Sequence, residues 1–359
     1  MSLLSSLPRR AGVVAGGAAV LVTGAAVGLA AERYTVGRSL RGRPDPLADE
    51  GFGCLRGRVV PVTADDGTVL HVEVDELAGP SSVTVVLVHG YSLSMDFWHF
   101  QRRDLDDLGR LVLYDQRGHG RSPVGPVDHL NVEQLGSDLA RVLEVTAPTG
   151  SVVLVGHSMG GMAVMALAEA HPEWFGARIV GVALLSTSAG GIDEVNWGVP
   201  APLARVVHRV TPEVLGLLAH RQGLVATGRR FTSDLEYVLT RRLSFGSDVS
   251  PSLVRFVAQM ITATPVEVLA AFFPQLDRAD QRPALVNVDG VETLVMVGTA
   301  DALTPPRHSQ AIVDLLPGAE LVLLPGAGHL APLEVPVPVN EHLRRLVARA
   351  VRVNRNEVA

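Results

Sequence analysis

Ser151-Val-Val-Leu-Val-Gly-His-Ser158-Met-Gly-Gly-Met162 joins an apolar run to a helix-forming run, Met162 to Ala170, through Gly156-His157-Ser158-Met159-Gly160. A G-x-S-x-G that ends a buried strand and starts a helix describes a sharp turn with a serine at its apex. The glycines have a steric job there. Side chains flanking so tight a turn would strike the backbone, so Gly156 and Gly160 supply the missing bulk and Gly161 lets helix and strand approach closely. Ser158 is thereby pushed into the open above the sheet.

A serine hydroxyl is a weak nucleophile near neutral pH and needs a base in hydrogen-bond reach, with a third group to orient that base. The chain offers both past the ends of later strands. Glu292 to Val297 reads as a buried strand and runs into Gly298-Thr299-Ala300-Asp301, with Pro305 and Pro306 fixing the loop beyond. Leu321 to Leu324 is followed by Pro325-Gly326-Ala327-Gly328-His329, whose glycines let the histidine project back across the sheet top. Asp301 is the expected acid and His329 the expected base. Asp289 and Asp314 are worse placed, one before the strand and one in a helix-like run. Of the 12 histidines, His157 and His119 sit inside motifs and are assigned packing or hydrogen bonding around turns, because neither follows the acid in chain order.

The order Ser158, Asp301, His329 is the one that α/β-hydrolases show. From about Arg58 to the C-terminus the chain resembles an α/β-hydrolase of the lipase, esterase and monoacylglycerol-lipase-like group. Five stretches in family order carry the resemblance: VVLVHGY at Val85 to Tyr91, YDQRGHGRS at Tyr114 to Ser122, VGHSMGG at Val155 to Gly161, GTAD at Gly298 to Asp301 and GAGH at Gly326 to His329. It implies a serine esterase or lipase using Ser158, Asp301 and His329 through an acyl-enzyme, with no cofactor. It also implies an oxyanion hole of two backbone N–H groups, one from Met159 and one from Tyr91, the residue after His89-Gly90. Arg117, Arg121 and Asp115 belong to a loop that buttresses the site. The same machinery serves cofactor-free peroxidation, acyl transfer or carbon–carbon bond hydrolysis in other members, and a non-catalytic receptor on this fold is the remaining alternative. Epoxide hydrolase and haloalkane dehalogenase readings are disfavoured, since they need an aspartate where this chain has Ser158.

The expected architecture is an α/β fold with an eight-stranded, mostly parallel sheet. Alternating runs Arg58 to Thr63 and Thr68 to Val74, around Asp65-Asp66-Gly67, predict an antiparallel hairpin at its start. Strands beginning at Val83, Leu111, Val152, Ile179, Glu292 and Glu320 alternate with helical stretches, which places helices on both faces. A closing helix is predicted over Val339 to Val353. The core is therefore 58–187 and 281–359. Between them, 188–280 breaks the alternation with helical patterns at Leu203 to Val210, Pro212 to His220, Ser233 to Arg242 and Ser252 to Thr262. It follows the sixth strand, where the family inserts a helical cap. Trp197, Phe231, Phe245, Phe256, Phe272 and Phe273 are candidate acyl-pocket walls, and packing within the cap explains each equally well.

Composition narrows the partners. With 359 residues and 47% hydrophobic content the chain can bury one large core and an inserted subdomain. All 31 basic residues are arginine and the net charge is −6, so no overall basic field invites nucleic acid. Neither an H-E-x-x-H nor a paired-cysteine spacing suggests a metal. Cys54 is the only cysteine, which excludes an internal disulfide. The expected partner is a small-molecule or lipid ester; the oligomeric state is not legible. Arg9 and Arg10 precede an uncharged run from Ala11 to Ala31, long enough to span a hydrocarbon core. Its length favours an uncleaved membrane anchor over 1–31 rather than a secretory signal cleaved near Gly28-Leu29-Ala30. Residues 32–57, rich in arginine and acids with Pro44 and Pro46, read as a linker.

Overall fold

The computed structural model of the chain describes residues 44–76, 83–192 and 233–358. The expected anchor, the helices expected at 203–210 and 212–220, and Trp197 and Phe231 lie outside them. No single helix among the described residues is long and apolar enough to cross a membrane. Two consecutive ones, Pro251–Ala263 and Val266–Arg278, reach that length and apolarity together but meet at 93°.

Strands β1 Arg58–Val59, β2 Val62–Thr63, β3 Val69–Leu70, β4 Val72–Asp75, β5 Val83–Val88, β6 Arg110–Tyr114, β7 Ser151–His157, β8 Ile179–Leu185, β9 Glu292–Gly298 and β10 Glu320–Leu324 follow one another along the chain. Eight of them form one sheet in the order β1-β4-β6-β5-β7-β8-β9-β10. Pairing is parallel from β6 to β10 and antiparallel at β1·β4 and β4·β6. The predicted eight-stranded, mostly parallel sheet is therefore present. Its opening hairpin is split: β1 pairs with β4 in the large sheet, and β2 with β3 in a small sheet of their own. Pro61 sits at the break, where it has no N–H to give to a ladder.

The central strands are apolar runs because both faces are covered. Val86, Val88, Val152, Leu154, Val182 and Leu184 belong to the core on one side, with helices α2 Val132–Thr146 and α3 Met159–Ala170. Val85, Leu87, Val153, Val155, Ala183 and Leu185 belong to the other, with α1 His99–Asp104 and α9 Pro336–Val358. The two-residue side-chain period of a strand thus serves two cores at once. Helix α3 is buried along nearly its whole length and is apolar on all sides, as its position between sheet and α2 requires. Helix α2 faces water and is amphipathic; its N-terminus is capped by Asn131, which accepts from the Gln134 N–H.

Between β8 and β9 the chain inserts α4 Ser233–Ser244, α5 Pro251–Ala263 and α6 Val266–Arg278; α7 Pro306–Leu315 and α8 Ala331–Glu334 follow later. Helix α6 is not among the predicted helices. Pro265 stands at its N-cap, and Pro274, whose ring and missing N–H disfavour a helix interior, is accommodated inside it. Residues 44–57, from the stretch expected as a linker, are packed. Asp45 accepts from the Ser250 and Ser252 hydroxyls and the Ser252 N–H and pairs with Arg255, at the N-terminus of α5. Phe52 stacks on Phe256 with ring centroids 4.8 Å apart, and Glu50 bonds His99 at 2.8 Å.

Candidate active site

The turn after β7 places Ser158 at φ 53°, ψ −121°, with Met159 as the first residue of α3. A left-handed φ on a residue with a Cβ costs about 1–3 kcal/mol and persists only where the surroundings enforce it. Several bonds do so. The Ser158 N–H donates to the Leu185 carbonyl at 2.9 Å, and the Ser158 carbonyl accepts from the Thr187 hydroxyl at 2.7 Å and the Gly161 N–H at 2.9 Å. A Cβ on Gly156 would lie 2.6 Å from the Gly160 carbonyl oxygen, and one on Gly160 would lie 2.2 Å from that of Val88. Both glycines are thus required sterically, as the sequence predicts. Ser92 and Ser186, the other non-glycine residues of positive φ among those described, follow β5 and β8. The backbone strain is gathered at the carboxyl ends of three adjacent central strands, β5, β7 and β8.

The structure brings Ser158, His329 and Asp301 together. His329 Nε2 lies 3.1 Å from Ser158 Oγ, and its Nδ1 lies 3.0 and 3.1 Å from the two oxygens of Asp301. A proton on Nδ1 serves the carboxylate, which leaves the Nε2 lone pair facing the serine. Asp301 follows β9 and also accepts from the N–H groups of Leu303 and Thr304 and from the Thr304 hydroxyl, all at 2.9 Å. Burial pushes the Asp301 carboxyl up, but the neighbouring His329 and the Thr304 donors outweigh it and hold it below the usual carboxylate range. Asp314 instead lies in α7, bonded to Gln310, and Asp289 in the turn before β9.

His157 takes a role that chain order did not specify. Its Nε2–H donates to the His329 carbonyl at 2.9 Å, which fixes the loop carrying the imidazole. Burial, aided by the charge of His329, lowers its pKa to about 3, so it stays neutral there.

Two stretches of backbone flank the serine, the start of α3 and the loop after β5. Met159 begins α3, whose first N–H groups have no partner within the helix. The loop after β5 runs close by, since a Cβ on Gly90 would come within 3.0 Å of the Ser158 Cβ. The Gly90 carbonyl accepts from His89 Nδ1–H at 2.8 Å and from the Leu93 N–H at 3.3 Å, while His89 Nε2 accepts from the Gln116 N–H at 3.0 Å. Burial and the neighbouring His119 and His157 keep His89 neutral, with its pKa well below the ordinary value. Because the Gly90–Tyr91 peptide is trans, fixing its carbonyl also fixes the Tyr91 N–H in the opposite direction. The Tyr91 hydroxyl donates to the Leu269 carbonyl of α6 at 2.7 Å, joining this loop to the inserted helices.

The Tyr114 to Ser122 loop is held by its own charges. Arg117 is fully buried and forms a forked pair with Asp138 at 2.6 and 2.7 Å, with Asp66 at 2.7 Å beyond. Asp115 accepts from the N–H groups of Met95 and Arg121. Neither Arg117 nor Asp115 reaches Ser158.

Ser158 and His329 open onto a cavity of about 560 Å³. Its walls include Leu239 and Leu243 of α4, Val257 and Ile261 of α5, and Phe273 and Leu276 of α6. Of the aromatic side chains considered as pocket walls, Phe273 lines it. Phe245, Phe256 and Phe272 are buried in packing, Phe256 against Phe52 and Phe272 against the His119 ring. Thr304 also lines the cavity and was not singled out in the sequence. A D-x-x-T spacing just past a strand is the signal that was available, since it lets a hydroxyl turn back on the carboxylate.

Residues 85–342 match the model of the alpha/beta hydrolase family. The chain is 28% identical over 260 residues to a pimeloyl-[acyl-carrier protein] methyl ester esterase of Nitrosospira multiformis, covering 70% of this chain and 89% of that protein. A polyketide synthase of Burkholderia thailandensis is 28% identical over 265 residues, which span 11% of its length. Among solved structures, a thermophilic esterase from Thermogutta terrifontis superposes with a TM-score of 0.64 at 27% identity, over 82% of this chain and 99% of that one. An enol-lactonase from Burkholderia xenovorans LB400 shares the fold, with a TM-score of 0.65 at 24% identity over 80% and 100% of the two chains. With its sheet order, its serine turn and a family match over most of its length, the chain belongs to the alpha/beta hydrolase family.

Proposed function

We propose that the protein is a serine hydrolase that cleaves lipophilic carboxylic esters. One observation carries the reading: Ser158 Oγ, 3.1 Å from the free nitrogen of an imidazole held by Asp301, opens onto a cavity walled by aliphatic side chains. His329 takes the Ser158 proton as the hydroxyl attacks the ester carbonyl. The N–H groups of Met159 and Tyr91 meet the oxygen that becomes negative, where donors fixed in advance do most for the barrier. His329 then protonates the leaving alcohol, and water attacks the acyl-enzyme by the same route in reverse, releasing the acid. Asp301 keeps the imidazole in the required tautomer throughout.

The cavity volume falls within the range of small-molecule sites, roughly 300–1,000 Å³. Leu239, Leu243, Ile261 and Leu276 favour an acyl chain over a polar substituent. The esterase relatives support a small ester as substrate, and the apolar run Ala11 to Ala31 supports attachment to a membrane where lipophilic esters gather. Hydrolysis of nitrophenyl esters of increasing acyl length tests the reading, with optimal turnover expected beyond acetate. A preference confined to acetate would contradict the lipophilic assignment, and undiminished turnover in Ser158→Ala would contradict the mechanism.

A further inference from the structure

The acid of the site has more partners than orienting one imidazole needs. Thr304 stands on the first turn beyond Asp301 and is 5% exposed. Its hydroxyl lies 2.9 Å from Asp301 Oδ2 and 3.2 Å from His329 Nδ1, so it touches both members of the pair. The hydroxyl has one hydrogen to give. Nδ1 already carries a proton, so that hydrogen goes to the carboxylate, and the oxygen lone pair is left facing the Nδ1–H. The O–H dipole therefore points its negative end at the ring that becomes positive when Ser158 gives up its proton. Resting on the serine hydrolase reading above, we propose that Thr304 is a positioning residue that shares the His329 Nδ1–H with Asp301 and stabilises the imidazolium formed during acyl transfer.

A valine at this position keeps the shape and both backbone bonds to Asp301, and removes only the hydroxyl. The sign follows from the dipole. Without the lone pair the imidazolium is less stable, so His329 gives up its proton at lower pH and is a weaker partner in the transition state. The other titratable or charged groups around His329 remain in place. These are Asp301 itself, neutral His157 with its ring 4.9 Å away, Glu334 of α8 bonded to the Gly328 N–H at 2.7 Å, and Asp277 of α6 on the cavity wall. A shared, somewhat long bond to a charged group is worth only part of a full one, so the shift is about half a pH unit.

The test is the rate of inactivation by a fluorophosphonate between pH 5 and 9, measured on the full chain for wild type, Thr304→Val and Thr304→Ser, with thermal unfolding recorded for each. The expected result is an acidic limb about half a unit lower in Thr304→Val, a plateau rate up to about threefold lower, and both restored by Thr304→Ser. If Thr304→Val does not fold, Thr304→Ala serves the same comparison. An unmoved limb in the hydroxyl-free variant, even with a slower plateau, overturns the proposal, as does a limb in Thr304→Ser that moves with it. Wild-type protein that does not react at any pH overturns the hydrolase reading together with the proposal.

Discussion

Ser158 stands in a backbone conformation that its own side chain disfavours, held there by Leu185, Thr187 and the absence of side chains at Gly156 and Gly160. Replacing Gly160 by alanine drives a Cβ against the Val88 carbonyl, which is strand backbone and cannot yield. That substitution is expected to cost about 2–4 kcal/mol in urea unfolding and to abolish phosphonate labelling; a fully active, equally stable Gly160→Ala protein would refute the steric account of the turn. Asp301→Asn keeps the shape but favours the wrong tautomer of His329, so kcat is expected to fall by about 10⁴ while KM changes little. A fall of less than tenfold would show that Asp301 does not set the tautomer. The serine, acid and base were legible because each follows a strand and is flanked by glycines or prolines. Thr304 was not, because a D-x-x-T spacing is a weak signal until the loop is seen to turn the hydroxyl back onto Asp301 and His329.

At the scale of elements, what the sequence conveyed best were the central strands β5 to β9, whose Val-, Leu- and Ile-rich runs have no exposed face to blur them. It conveyed the inserted helices less well. Helix α6 was obscured by Pro274, and the 44–57 segment by its charges, which look like a solvated linker until Asp45 is seen against α5. Ser250, at the N-cap of α5, makes no capping bond of its own, so Asp45 supplies the acceptor for the Ser252 N–H from 207 residues away. Asp45→Ala is therefore expected to lower stability by about 1 kcal/mol, read as a lower urea midpoint with an unchanged slope. No change in midpoint would mean that the segment does not hold the helix.

For the molecule as a whole, the most consequential burial is that of histidine. His89, His119 and His157 are enclosed near the site, and burial lowers all three, His119 to about 4 and His157 to about 3. In the unfolded chain each titrates near 6.5. Below that pH the unfolded state binds protons that the folded state refuses, so stability is full above about pH 6.5 and falls as the medium is acidified. The slope approaches about 1.4 kcal/mol per pH unit for each histidine until its folded pKa is reached. Urea titrations followed by tryptophan fluorescence from pH 7.5 to 5 are expected to show this decline, and a flat profile would contradict the burial of neutral imidazoles. The family was legible from five short stretches and the eight-stranded, mostly parallel sheet from the alternation of strands and helices; the order of its strands was not. The cavity was not, because its walls come from three inserted helices and from the loops after β5 and β9, which meet only in the folded chain. The central claim, that Ser158 is the nucleophile, is tested most directly by peptide mass mapping after fluorophosphonate treatment. The account predicts a single adduct on the peptide containing Ser158, lost together with ester turnover in Ser158→Ala; an adduct elsewhere, or turnover that survives the substitution, would contradict it.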